Sequence, residues 1–144
     1  MEAQVNTSRR GFFGHAAGAY MAVGALATGA LVADPVFSVI EEHLALWLRV
    51  EALADETDMA FDRFGAKSAE AERCEKAQCD ASTRETAYLT GVLVATVPTT
   101  LPGLTAYVDY LAGAQGFGAT TIDRSQDAVF ATIAASLRLI ASNH

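Results

Sequence analysis

The stretch Asp34-Pro35-Val36-Phe37-Ser38-Val39-Ile40-Glu41-Glu42-His43-Leu44-Ala45-Leu46-Trp47 decides the fold class. Asp34 is a helix N-cap: its carboxylate accepts from backbone amides that have no partner inside the helix. Pro35 is tolerated at the first helical position, where its missing N–H costs nothing. From there Val36, Ile40, His43, Trp47, Val50, Ala54, Thr57, Phe61 and Phe64 step by fours and threes. That spacing keeps one stripe facing a partner helix, and Phe37, Leu44 and Leu48 widen it. Gly65 is the expected stop, because glycine is weak inside helices and favoured just past their ends.

Toward the C-terminus the signal weakens and then returns. Residues 66–82 are rich in Ala, Glu, Lys and Arg and almost free of large apolar side chains, which predicts an exposed helical extension or connection. Asp80-Ala81-Ser82-Thr83 offers caps for a second helix with Tyr88, Leu89, Val92, Leu93 and Thr96 inward. The β-branched residues there make a short strand the local alternative. Pro98 ends that element. Thr99 and Thr100 cap a third helix with Leu101, Leu104, Val108 and Leu111 as its buried stripe. Residues 113–121, with three glycines, read as a loop. A fourth helix, capped by Asp123 or Ser125, turns Phe130, Ile133, Leu137 and Ile140 to one side. The expected fold is all-α: a small bundle of three to four helices with a long first helix, occupying residues 34–144.

Toward the N-terminus, Ser8-Arg9-Arg10-Gly11-Phe12-Phe13 precedes an uncharged Ala/Gly-rich run that ends at Ala33. A twin arginine, a hydroxyl residue before it, aromatics Phe12 and Phe13 after it, and a weakly apolar segment form a twin-arginine export signal. Residues 1–33 are therefore expected to be a signal helix read by the twin-arginine translocation machinery. The run is also just long enough to remain as a membrane anchor, which would tether the protein to the inner membrane with Asp34 onward in the periplasm. A buried helix in a cytosolic protein is the third reading, weakened by four glycines.

The chain has 144 residues, 17 acidic against 10 basic, net −7. Without Glu2, Arg9 and Arg10 the remainder has 16 against 8, net −8. Such acidity argues against nucleic acid and against anionic membrane surfaces, since both need clustered Lys and Arg. Residues 34–85 carry net −7 and residues 86–144 only net −1, so the second half reads as the apolar partner of the first.

Candidates for chemistry are few. His43 sits on the apolar stripe, but Ile40 occupies the position where a Glu-x-x-His metal motif needs its carboxylate. The other histidines, His15 and His144, lie in the leader and at the C-terminus. His43 therefore reads as a core histidine. Cys74 and Cys79 are five residues apart; in an oxidising compartment they would form a bridge if the chain bent between them. Zinc and C-x-x-C redox chemistry lack the required spacing. Glu51, Asp55, Asp58 and Asp62 form a solvated acidic face. Ser125, Ser136 and Ser142 have no nucleophile context. Thr99 and Thr100, at a helix start, offer amides to an anion, although a cap with a Pro-fixed turn accounts for the same residues. No cofactor or metal is expected.

The Asp34-Pro35-Val36-Phe37…Ile40-Glu41-Glu42-His43 opening and the later segment running from Leu93 to Leu104 (Leu93-Val94-Ala95-Thr96-Val97-Pro98-Thr99-Thr100-Leu101-Pro102-Gly103-Leu104) stand together with the leader. This resembles a group of short uncharacterised bacterial proteins with D-P-[IV]-F…I-E-x-H and L-L-A-T-x-P-T-T-x-x-G segments, some bearing a twin-arginine leader. The resemblance implies an all-helical fold and brings no activity, cofactor or catalytic residue. This chain departs from the group in Val97 and in Leu44 after the histidine. The functional expectation is a non-enzymatic periplasmic interaction or structural module, its heptad-like stripe suited to a protein partner or to self-association. A cofactor- or metal-dependent enzyme or enzyme subunit exported folded, and a membrane-tethered helical protein, are the alternatives.

Overall fold

A computed structural model describes residues 34–113 and 125–143. Residues 1–33, where Ser8, Arg9, Arg10, Phe12 and Phe13 form the expected export signal, and residues 114–124, which include most of the expected loop, lie outside the described residues. The described residues form four α-helices and no strand: α1 Pro35–Phe64, α2 Ala69–Tyr88, α3 Leu101–Gly113 and α4 Gln126–Ser142. A π-helical turn, Leu89–Leu93, extends α2. None of these helices is long and apolar enough to cross a membrane.

The ends of α1 follow from the local sequence. Asp34 Oδ1 accepts from the Val36 amide at 3.1 Å. Gly65, at φ 82°, closes the helix with its N–H on the Phe61 carbonyl at 2.9 Å. Ser68 then caps α2 by accepting from Ala71 N at 3.1 Å, and Glu70 and Glu72 place negative charge near its positive end. So short a link folds α2 back along α1: His43 and Glu42 near the start of α1 meet Glu85 and Tyr88 near the end of α2.

The segment 66–82 is helical from Ala69 and, apart from Ala71, exposed or half-buried. It is part of a longer helix packed along α1, and the close approach is made by small side chains, with Ala71 fully buried. The expected caps at 80–83 lie inside this helix. Asp80 pairs with Lys76 at 2.9 Å, and Thr83 Oγ1 donates back to the Cys79 carbonyl at 2.9 Å. A threonine that bonds the carbonyl four residues earlier satisfies itself within a helix and starts no new one.

After Tyr88 the helix widens. The Val94 amide donates to the Leu89 carbonyl five residues back, at 2.9 Å. The wider turn changes the register, so Leu89, Leu93 and Val94 are buried and the expected core residue Val92 is exposed. These residues form the core with Val36 and Ile40 of α1 and with Tyr107 and Tyr110 of α3; Val129 and Ile133 of α4 pack against it.

The expected stripes of α3 and α4 are corrected in part: Leu104 is buried, and Leu111 and Ile133 pack against the core, as expected. In α3, Gly103, Leu104, Tyr107 and Tyr110 are buried, while Leu101 and Val108 are exposed. In α4 the buried residues are Thr132 and Ser136, while Phe130 and Leu137 are 66% and 51% exposed. Both corrections have one cause. Pro98 has no N–H to give the carbonyl of Val94, four residues earlier. That carbonyl instead accepts from Tyr107 Oη at 3.2 Å and Thr132 Oγ1 at 2.7 Å. The Pro98 carbonyl accepts from Ser136 Oγ at 2.7 Å. Hydroxyls on α3 and α4 thus turn inward to satisfy backbone that would otherwise be buried without a partner.

Candidate functional site

His43 lies one helical turn beyond Ile40 and two beyond Val36, on the core face of α1, with no exposed surface. Its Nδ1 is 2.7 Å from Tyr110 Oη of α3 and its Nε2 is 2.8 Å from Glu85 Oε1 of α2. The carboxylate accepts from Nε2–H, and Nδ1 shares the second hydrogen bond with the Tyr110 hydroxyl. The Tyr110 ring also meets the imidazole edge-on, 5.8 Å between centroids. The Tyr88 ring stacks on its other side at 6.4 Å, and its hydroxyl donates to Glu42 Oε2 at 2.7 Å. Burial, then the hydrogen bond to Glu42 and its charge, push the Tyr88 phenol up to about 12.

This is a polar clamp joining three helices. Tyr110, His43 and Glu85 stand in the order of a proton relay, but the relay is closed. His43 is wholly buried, and the two described grooves, of about 280 and 320 Å³, are lined by other residues. Among the described residues, every buried side-chain nitrogen or oxygen has a partner, and no cluster of His, Cys, Asp or Glu is arranged to hold a metal ion.

Thr99 and Thr100 do meet an anion, and it is Asp34. Asp34 Oδ2 accepts from the amides of Thr99 and Thr100 and from the Thr100 hydroxyl, each at 2.8 Å. Thr100 Oγ1 in turn accepts from Gly103 N at 3.1 Å, capping α3. One carboxylate therefore serves the first turn of α1 and the start of α3. Burial alone would raise its pKa; the hydrogen bonds from Val36, Thr100 and Thr99 outweigh burial and hold it below the usual carboxylate value.

The other sequence candidates stay apart. Cys74, half-buried, and Cys79, exposed, are free thiols on the unbroken helix α2, so the bend that a bridge needs is absent from α2. Glu51, Asp55, Asp58 and Asp62 are all exposed. Ser136 holds Pro98, and Ser142 donates to the Leu139 carbonyl at 2.8 Å. Glu85 and Tyr110, which complete the clamp, carry no local sequence signal because their partner is on another helix. Thr132 and Ser136 did carry one: two hydroxyls four residues apart on one face of an otherwise apolar helix, downstream of a proline that leaves a carbonyl unpaired.

The inner face of α4 is mixed: the hydroxyls of Thr132 and Ser136 face in beside Val129 and Ile133, while Phe130 and Leu137 face out. Beside them, Val108, Leu111 and Ala112 of α3 and Val129, Phe130 and Ile133 of α4 line the groove of about 320 Å³, with Gln126 at its rim.

No family model, no curated protein and no solved structure matches the chain.

Proposed function

We propose that this protein is an exported, non-enzymatic helical module that works by binding protein through α4. The observation that carries this reading is the way α4 is mounted. Hydrogen bonds from Thr132 and Ser136, with Val129 and Ile133 packed beside them, hold its inner face, and Phe130 and Leu137 are left turned to solvent. Large exposed apolar side chains grouped on one face mark interaction surfaces. His43, the side chain best suited to chemistry, is engaged at both nitrogens in holding helices together. The leader motif at Arg9 and Arg10 supports export of the folded chain, and this suits a domain whose clamps join residues far apart in sequence.

Two measurements test the reading. Cell fractionation of the wild type and of the Arg9→Lys, Arg10→Lys double variant tests the address: periplasmic protein is expected for the first and cytoplasmic retention for the second. Equal distribution of both would overturn export. A photo-crosslinking residue in place of Phe130 tests the surface in cells. Covalent adducts are expected there and not from Glu51 on the acidic face. An adduct-free Phe130 site would overturn the binding role.

A further inference from the structure

We infer that the occupant of the α4 face is a second copy of this chain, with the two α4 helices packed antiparallel about a two-fold axis. The inference rests on the binding role proposed above and adds the partner's identity. Three features of α4 support it.

The first is charge. Asp127 and Arg138 are the only charged residues of α4, and both are exposed. Eleven residues separate them, which is close to three turns, so they lie on one line of the helix about 16 Å apart. In an antiparallel pair related by a two-fold axis, the same flank of each helix meets. Asp127 of each copy then stands beside Arg138 of the other, giving two ion pairs. A parallel pair would set that flank against the opposite one and leave both charges without a counterpart.

The second is shape. Pairing the charges puts the centre of the crossing between Thr132 and Ile133. Phe130 of one copy then lies level with Ala134 of the other, and Leu137 lies near the turn that carries Ala131. Large residues opposite small ones let two helices approach closely and interdigitate.

The third is the field of the whole chain. Residues 34–85 carry net −7, so two copies meeting through that half would repel. Residues 86–144 carry net −1. An α4 contact keeps the acidic halves away from the interface, where water and salt screen them.

The test is sedimentation of the full-length chain over a range of concentrations. A monomer–dimer equilibrium is expected. Leu137→Asp is expected to give monomer at every concentration, with a melting temperature matching that of the wild type at dilutions where the wild type is monomeric, since Leu137 is half exposed in the single chain. Asp127→Arg and Arg138→Asp are each expected to weaken the dimer by about 5-fold, as for two lost surface ion pairs. The double reversal is expected to restore it. A dimer untouched by Leu137→Asp, or a double reversal weaker than either single change, would overturn the inference. So would a monomer at every concentration; Phe130 crosslinks to a different protein would then leave the binding role standing, and their absence would remove both.

Discussion

Asp34 and Thr100 are joined by two hydrogen bonds to one carboxylate oxygen, from the Thr100 amide and the Thr100 hydroxyl, and the Thr99 amide adds a third. Sixty-six residues separate Asp34 from Thr100. The start of the long helix is thereby tied to the start of α3. Asp34→Ala is expected to destabilise the fold by about 3 kcal/mol, combining a lost N-cap with lost hydrogen bonds to a charged group. The folded pKa is depressed, so this contribution is present above the unfolded value near 4 and lost as pH falls through the folded one. Melting temperature against pH should therefore fall below about pH 4 in the wild type. In Asp34→Asn that acid limb should be shallower.

The same carboxylate makes Gly103 irreplaceable. A Cβ there would clash with Asp34 Oδ2, and the donors around that oxygen prevent it from moving aside. Gly103→Ala is expected to cost about 2–3 kcal/mol, as for other over-packed sites. Gly91, in the π-helical turn, has open space at its Cβ. Gly91→Ala is expected to stabilise by about 0.5–1 kcal/mol through the unfolded state. Urea unfolding of the two variants gives the comparison, and equal effects would contradict it.

The His43 clamp should show coupling. His43→Ala removes a wholly buried side chain and leaves Glu85 and Tyr110 each short of one partner. A loss of about 3–4 kcal/mol is expected, cavity and unpaired groups together. Glu85→Ala alone should cost less. In the double variant the two losses should add to less than their sum, by at least about 1 kcal/mol, as for residues in one hydrogen-bonded network. Simple additivity in a denaturant series would show the contact to be energetically idle.

Two tyrosines should ionise late. Burial pushes the Tyr107 phenol up to about 12 against a smaller opposite effect of the hydrogen bond with Thr132, and burial with Glu42 does the same for Tyr88. Both folded values lie above the unfolded one near 10, so the stability linked to them is intact below pH 10 and lost as pH rises toward 12. Absorbance near 295 nm should show these two phenolates appearing about two pH units after an ordinary tyrosine. Tyr107→Phe should remove one late ionisation. A single ordinary step for every tyrosine would refute the burial of Tyr107 and the Tyr88–Glu42 contact.

The parts of the fold legible in the sequence are those whose causes are local. Asp34, Pro35 and Gly65 bound α1 because capping and glycine conformations act within a few residues. The second helix was misread because its packing surface is alanine, which hydropathy periodicity scarcely registers, and because Thr83 satisfies itself inside the helix. The stripes of α3 and α4 were misplaced for a different reason. Tyr107, Tyr110, Thr132 and Ser136 are buried for their hydroxyls, and a pattern that scores apolar side chains turns such helices the wrong way. His43 was legible as a core histidine, but Glu85 and Tyr110 reach it from other helices, at separations of 42 and 67 residues, where sequence spacing carries no information.

The absent hydrogen on Pro98 also sets an order of assembly. The carbonyls of Val94 and Pro98 become acceptors for α4 only after the second helix has stopped and the turn toward α3 has formed. Contacts spanning 38 residues then close on a surface already built. Docking of α4 is therefore expected to follow the crossing that limits the rate, since its acceptors lie on a turn that the other elements must first form. Ser136→Ala should accelerate unfolding in stopped-flow experiments and leave the refolding rate nearly unchanged. The fourth helix would then be the first part of the protein to let go under load and the last to return.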